Sequence, residues 1–133
     1  SGAALERFRQ IVEGQGGDPR VVDDYARLPT APSRFIVKAE RAGYVTRLDA
    51  ELVGRASVLL GAGRDRVADA VDPAVGIIIT AKPGAQVSAG DAIFEIHYRE
   101  QAKLDAALVL VRRAVMLGDE PPVLRAIIVG EVR

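Results

Sequence analysis

The sequence predicts an α+β fold: a β-rich core with two packed helices and a helical tail at the N-terminus. Three observations carry that reading. Residues 72–98, DPAVGIIITAKPGAQVSAGDAIFEIHY, alternate short strand-like runs with tight-turn signals. Two segments, opening near Asp49 and Glu100, repeat apolar residues at helical spacing. A linker with two prolines in six residues, Leu28-Pro29-Thr30-Ala31-Pro32-Ser33, sets off an N-terminal stretch with one small apolar stripe. Strands and helices in this mixed order fit a sheet core with helices on its surface. The expected division is 1–32, a helical tail plus linker, and 33–133, the α+β domain.

The elements follow in order. Residues 3–13 are predicted helical, because Leu5, Phe8, Ile11 and Val12 fall at i, i+3, i+6 and i+7. Gly14, with Gly16-Gly17 beyond it, supplies the stop. Asp18-Pro19 reads as an N-cap followed by Pro at the first helical position, opening a short helix over 19–25. Residues 34–39 (RFIVKA) and 44–48 (YVTRL) are predicted strands around a turn at 40–43. Asp49 caps a helix whose apolar positions are Leu52, Val53, Ala56, Leu59 and Leu60, and Gly61 sits at its C-terminal stop.

Residues 72–98 read as a compact unit of three strands and two tight turns. The run 76–79 is a buried strand, and Pro83-Gly84 forces a turn. Gln86-Val87-Ser88 is short and extended, and Ala89-Gly90-Asp91 turns again. From Ala92 the pattern has period two: Ala92, Phe94, Ile96 and Tyr98 face one way, and Ile93, Glu95 and His97 the other. Residues 100–117 form the longest predicted helix, with Leu104, Ala107, Leu108, Val111, Ala114 and Val115 on one face. Gly118 ends it, Pro121-Pro122 follow, and 125–132 (RAIIVGEV) is the last predicted strand. The expected core has Ile77, Ile79, Phe94 and Ile96 in the sheets, with Leu59 and Val111 packed over them.

Composition narrows the function. The chain has 133 residues, with 18 Lys plus Arg and 18 Asp plus Glu, so its formal net charge is zero. No basic excess drives binding to nucleic acid or to an anionic membrane. With no cysteine there is no disulfide, thiolate nucleophile or Cys metal cluster, and the cytosol is the natural compartment. No apolar run reaches the ~20 residues of a membrane span. The N-terminus has no basic region followed by an apolar core, so no signal peptide is read there. A start at Ser rather than Met carries the expectation of a piece of a longer protein.

Each candidate for chemistry has a plainer reading beside it. His97, the single histidine, could act as a general base, yet its strand shows no Ser, Cys or carboxylate pattern marking a partner, and it reads as a surface or edge histidine. Asp23-Asp24 read as solvated carboxylates at a helix end. Asp65, Asp69 and Asp72 could gather on one side of a turn, but they lack the alternating oxygen ligands and central glycine of a calcium loop. Gly61-Ala62-Gly63-Arg64 follows a helix, whereas a phosphate-cradling loop leads into one. Lys82, before Pro83-Gly84, invites a covalent-attachment reading. No catalytic, cofactor-binding or metal-binding residue is assigned, and no cofactor is expected.

Three runs together resemble the C-terminal domain of pyrimidine-nucleoside phosphorylases, including thymidine phosphorylase. The first is Gly43-Tyr44-Val45 leading to Asp49 and Gly54. The second runs from Leu60-Gly61-Ala62-Gly63-Arg64 through Asp69 to Val71-Asp72-Pro73-Ala74-Val75-Gly76-Ile77, and it is the most specific. The third, residues 84–96 (GAQVSAGDAIFEI), is shared with biotinyl and lipoyl modules, and so implies a core of the barrel-sandwich hybrid (hammerhead) kind. Residues 8–18, FRQIVEGQGGD, look like the final helix of the family's central α/β domain and the turn after it.

The resemblance implies an accessory domain of a homodimeric, cytoplasmic pentosyltransferase. In that family phosphate attacks the anomeric carbon of a pyrimidine nucleoside, releasing base and pentose 1-phosphate. The family's phosphate- and base-binding residues lie in its α and α/β domains, the implied partners of this chain, and none maps onto a position here. The chain alone is therefore expected to be inactive. Two alternatives stand beside this one. One is a biotinyl- or lipoyl-type carrier, with the half-repeats AGYVTRL and VGIIITA as its hammerhead pair and Lys82 as the lysine in question. The other is a stand-alone regulatory binding domain.

Overall fold

The computed structural model describes residues 2–123 and 130. It divides into two compact units, Ser1–Thr30 and Ala31–Arg133. The smaller holds α1 (Ala3–Gly14) and two single 3-10 turns, Pro19–Val22 and Tyr25–Arg27. The continuous short helix expected over 19–25 is therefore broken. The Asp18 and Asp24 side chains each accept from the backbone N–H two residues on, so each starts its own turn. Gly17 N–H bonds the Val12 carbonyl at 2.9 Å and folds the chain back along α1. The Arg9 guanidinium then grips the Asp23 carboxylate at 2.6 and 3.0 Å. No residue of α1 is buried; Leu5, Phe8 and Ile11 are about half exposed.

The larger unit is α+β. Its strands are β1 (Ser33–Lys38), β2 (Gly43–Leu48), β3 (Gly76–Ile79), β4 (Gln86–Val87), β5 (Ala92–Tyr98) and β6 (Val115–Gly118). Its helices are α2 (Ala50–Leu60) and α3 (Gln101–Ala114), packed against each other. Two antiparallel three-stranded sheets result, ordered β1-β5-β3 and β4-β2-β6. Neither closes into a barrel among the described residues. The predicted strand over 125–132 lies outside the described residues, Gly130 excepted.

Local rules account for both ends of α2 and for the β3–β4 turn. Asp49 stands in extended conformation and its carboxylate accepts from Leu52 N–H, which caps α2. Gly61 closes α2 at φ 104°, a left-handed stop that glycine adopts without a Cβ clash. At the β3–β4 turn the Lys82 carbonyl accepts from Ala85 N–H, with Gly84 at φ 92°.

In the larger unit the structure departs from the sequence reading at four points. The stretch 72–98 is not one three-stranded unit. β3 and β5 pair with each other, but β4 crosses to the second sheet and pairs with β2 (Gly43↔Val87). The long helix stops at Ala114 rather than Leu117. Val115 is extended (φ −107°, ψ 138°), and 115–118 pair with β2 as an edge strand. The Asp49 N–H takes the Ala114 carbonyl and the Thr46 hydroxyl takes that of Met116, so tertiary pairing outweighs helical periodicity there. Leu59 is 43% exposed, while Val53, Ala56 and Leu60 carry the buried face of α2. Finally, Ile93 is buried although period two turns it outward. The β1–β5 register shifts between Val37↔Phe94 and Lys38↔Ala92, a bulge that rotates Ile93 inward.

The core joins both sheets to the helices. Phe94, Ile96, Val45, Leu104 and Val111 are fully buried, and Ile77 and Ile79 are partly buried against them. Each large apolar side chain withdrawn from water stabilises the fold by roughly 1.5–3 kcal/mol.

Candidate functional site

The most distinctive run of the sequence forms the connection between α2 and β3. Several of its polar groups bond to neighbouring backbone. Gly61 and Ala62 N–H groups bond the Val58 and Ser57 carbonyls, so these glycine-flanked amides close a helix rather than point at an anion. A Cβ on Gly63 would lie 2.9 Å from Val58 Cγ2, so the backbone passes close to α2 there. The Asp69 carboxylate accepts from the N–H groups of Asp65 (3.1 Å) and Arg66 (2.8 Å). Asp72 N–H bonds the Gly61 carbonyl at 2.9 Å, and its carboxylate accepts from Ala74 N–H and from Arg99 Nε at 2.5 Å. The Arg99 hydrogen bond, with the Ala74 N–H behind it, holds the Asp72 carboxyl below the usual carboxylate range. The Asp69 and Asp72 carboxylates thus staple a loop, and Asp65 joins it through its backbone N–H. Among the described residues no group of three or more His, Cys, Asp or Glu side chains could hold a metal ion.

The other candidates sit apart from this loop. His97 lies on the outer face of the β1-β5-β3 sheet, with Nε2 2.8 Å from Glu95 Oε1. Arg34, its cross-strand neighbour, pairs with the same oxygen at 3.4 Å. Asp23 is held by Arg9, whose hydrogen bond keeps its carboxyl below the usual range, and Asp24 pairs with Arg27 at 3.3 Å. Lys82 is exposed at the first position of its turn. The turn is tied to β2 through Gly84 N–H on the Val45 carbonyl and Val45 N–H on the Ala85 carbonyl.

Two features escaped the sequence reading. Arg99 gives no sign of its role, because Asp72 is 27 positions away. A recess of about 480 Å³ also lies in the larger unit, lined by Val37, Glu40, Arg41, Ile93, Arg112, Val115 and Leu117. It could not be found while 115–117 read as helix.

The geometry defines a class first: a small α+β domain of two three-stranded sheets and two packed helices, whose most distinctive residues build structure. The chain belongs to the family of pyrimidine nucleoside phosphorylase C-terminal domains, whose sequence profile matches residues 44–118, the span from β2 to the last residue of β6. It is 40% identical over 121 residues to the pyrimidine-nucleoside phosphorylase of Staphylococcus aureus strain USA300, and equally to that of strain NCTC 8325 / PS 47. The match covers 86% of this chain and 28% of each relative, so the chain spans about a quarter of their length. The family match favours the accessory-domain reading over the carrier and stand-alone ones. No helix among the described residues is long and apolar enough to cross a membrane.

Proposed function

We propose that the chain is the C-terminal portion of an enzyme that cleaves pyrimidine nucleosides with phosphate, giving free base and pentose 1-phosphate. The observation that carries the proposal is the family match over 44–118, together with 40% identity to named phosphorylases of which the chain spans 28%. In this reading the phosphate- and base-binding groups lie in the remaining part of the polypeptide, the enzyme is a cytoplasmic homodimer, and residues 1–32 are the last helical piece of the preceding α/β domain. The exposed Leu5, Phe8 and Ile11 stripe of α1 supports that assignment, since such a stripe ordinarily packs on something.

The β core is of the barrel-sandwich kind. In support, the half-repeats AGYVTRL and VGIIITA open β2 and β3 with glycines in the same unusual conformation, Gly43 at φ 152° and Gly76 at φ 155°. The two strands then lie in separate sheets of matching size.

The test compares the 133-residue chain with the full translation product of its gene, each given thymidine or uridine with phosphate. Release of free base by the full product alone is expected. No release by either would end the enzymatic reading. Release by the 133-residue chain that survives repurification would end the accessory one.

A further inference from the structure

We propose that the recess between the two sheets of the larger unit is a binding site for a small organic anion, a carboxylate or phosphate carrying an apolar body. Three strands, one turn and one helix build it. Val37 on β1 and Ile93 on β5, both buried, form an apolar floor. Val115 and Leu117, two apart on β6, turn to the same side and form a wall, while Met116 between them is exposed. Glu40 and Arg41 from the β1–β2 turn and Arg112 from the last turn of α3 provide the polar rim. The recess, lined by four apolar and three charged side chains, has a volume of about 480 Å³, within the ~300–1,000 Å³ typical of small-molecule sites.

The rim groups differ in what they have left to offer. Arg41 is committed: its guanidinium bonds Asp119 Oδ1 at 2.6 Å, the Leu117 carbonyl at 2.8 Å and the Ala42 carbonyl at 3.2 Å. It fixes the turn against β6 and so sets the shape of the opening. Arg112 makes no side-chain hydrogen bond or ion pair among the described residues, and neither does Glu40. The Ala114 carbonyl, near Arg112 at the end of α3, is already taken by Asp49 N–H at 2.8 Å. The Arg112 guanidinium, with no partner among the described residues, presents a planar fork of donors that matches a carboxylate or phosphate. Glu40, on the same rim, opposes each further negative charge and so favours the monoanion of a carboxylate over the dianion of a phosphate.

The test is a titration of the 133-residue chain followed by amide and methyl NMR, with benzoate, phenylphosphate and benzyl alcohol as probes. Saturable shifts at Val37, Ile93, Val115 and Leu117 are expected with at least one anion, and the two anions tell a carboxylate site from a phosphate site. Arg112→Gln, an exposed change that leaves the core spectrum intact, should weaken the anion about tenfold or more, since a charge-assisted hydrogen bond is lost. Glu40→Gln should tighten it. Equal binding of benzyl alcohol, absence of saturable shifts with both anions, or an affinity unchanged in Arg112→Gln would each overturn the proposal. Because no readout involves phosphorolysis, failure here leaves the enzymatic reading untouched, and the converse also holds.

Discussion

Phe94 and Leu59 show what a pattern of apolar residues does and does not fix. Both belong to clean periodic runs, yet Phe94 is fully buried and Leu59 is 43% exposed. Phe94 sits at the centre of the β1-β5-β3 sheet, opposite Val37 and Ile79 at once, so its burial follows from strand alternation. On α2 the buried set Val53, Ala56 and Leu60 spans i, i+3 and i+7, and Leu59 lies one residue off that line. Two adjacent leucines at a helix edge cannot be ranked without knowing where the neighbouring helix lies. Phe94→Ala is expected to cost about 3–5 kcal/mol in urea unfolding, through lost burial plus the cavity left behind. Leu59→Ala should change stability by no more than about 1 kcal/mol. Equal midpoint losses for the two would show that the core is centred elsewhere. The candidate site was less legible than the core. Asp69 and Asp72 stood out in the motif, but their partners are backbone amides and an arginine 27 positions on, which spacing does not reveal.

At the scale of elements, the α2–β3 connection rests on a left-handed glycine and on carboxylates that accept from the chain. Gly61→Ala forces a Cβ into φ 104° and should destabilise by roughly 1–2 kcal/mol. A loss below a few tenths would mean that the helix end relaxes into another cap. The carboxylates make the same region sensitive to acid. Asp72 is depressed below 3.8 chiefly by Arg99, and Asp49 chiefly by the Leu52 N–H. Both therefore release their protons more readily in the folded state than in the unfolded chain, and unfolding takes up protons in acid. Their contribution is fully present above the unfolded value of about 3.8 and is lost as pH falls through the lower folded values. The urea midpoint should drop between pH 5 and pH 2 (a range set about the ordinary carboxylate value), and the drop should shrink in the double variant Asp49→Asn, Asp72→Asn. An unchanged acid slope in that variant would assign the sensitivity to other groups. Elements whose ends carry local chemistry, α2 above all, were legible from sequence. β6 was not, because Val115-Met116-Leu117 continue a helical pattern and only pairing with β2 makes them a strand.

At the scale of the whole molecule, the question is what folds with what. Every residue of the buried core cluster lies between Val37 and Ala114. The segment before it supplies one buried residue, Val22, and a helix with none. A helix of twelve residues is marginal in water without a packed face, even with an arginine–aspartate pair at its side. The apolar face of α1 stays about half exposed at Leu5, Phe8 and Ile11, which leaves little apolar burial to hold it in place. Deleting residues 1–32 should accordingly leave the denaturation midpoint of the remainder nearly unchanged, while far-ultraviolet dichroism loses helical signal. Leu5→Ala and Phe8→Ala should likewise leave that midpoint where it is. They should instead reduce any concentration-dependent self-association, since an exposed apolar stripe is where copies would meet. A truncated chain that melts well below the intact one would place the N-terminal helix in the same cooperative unit as Phe94.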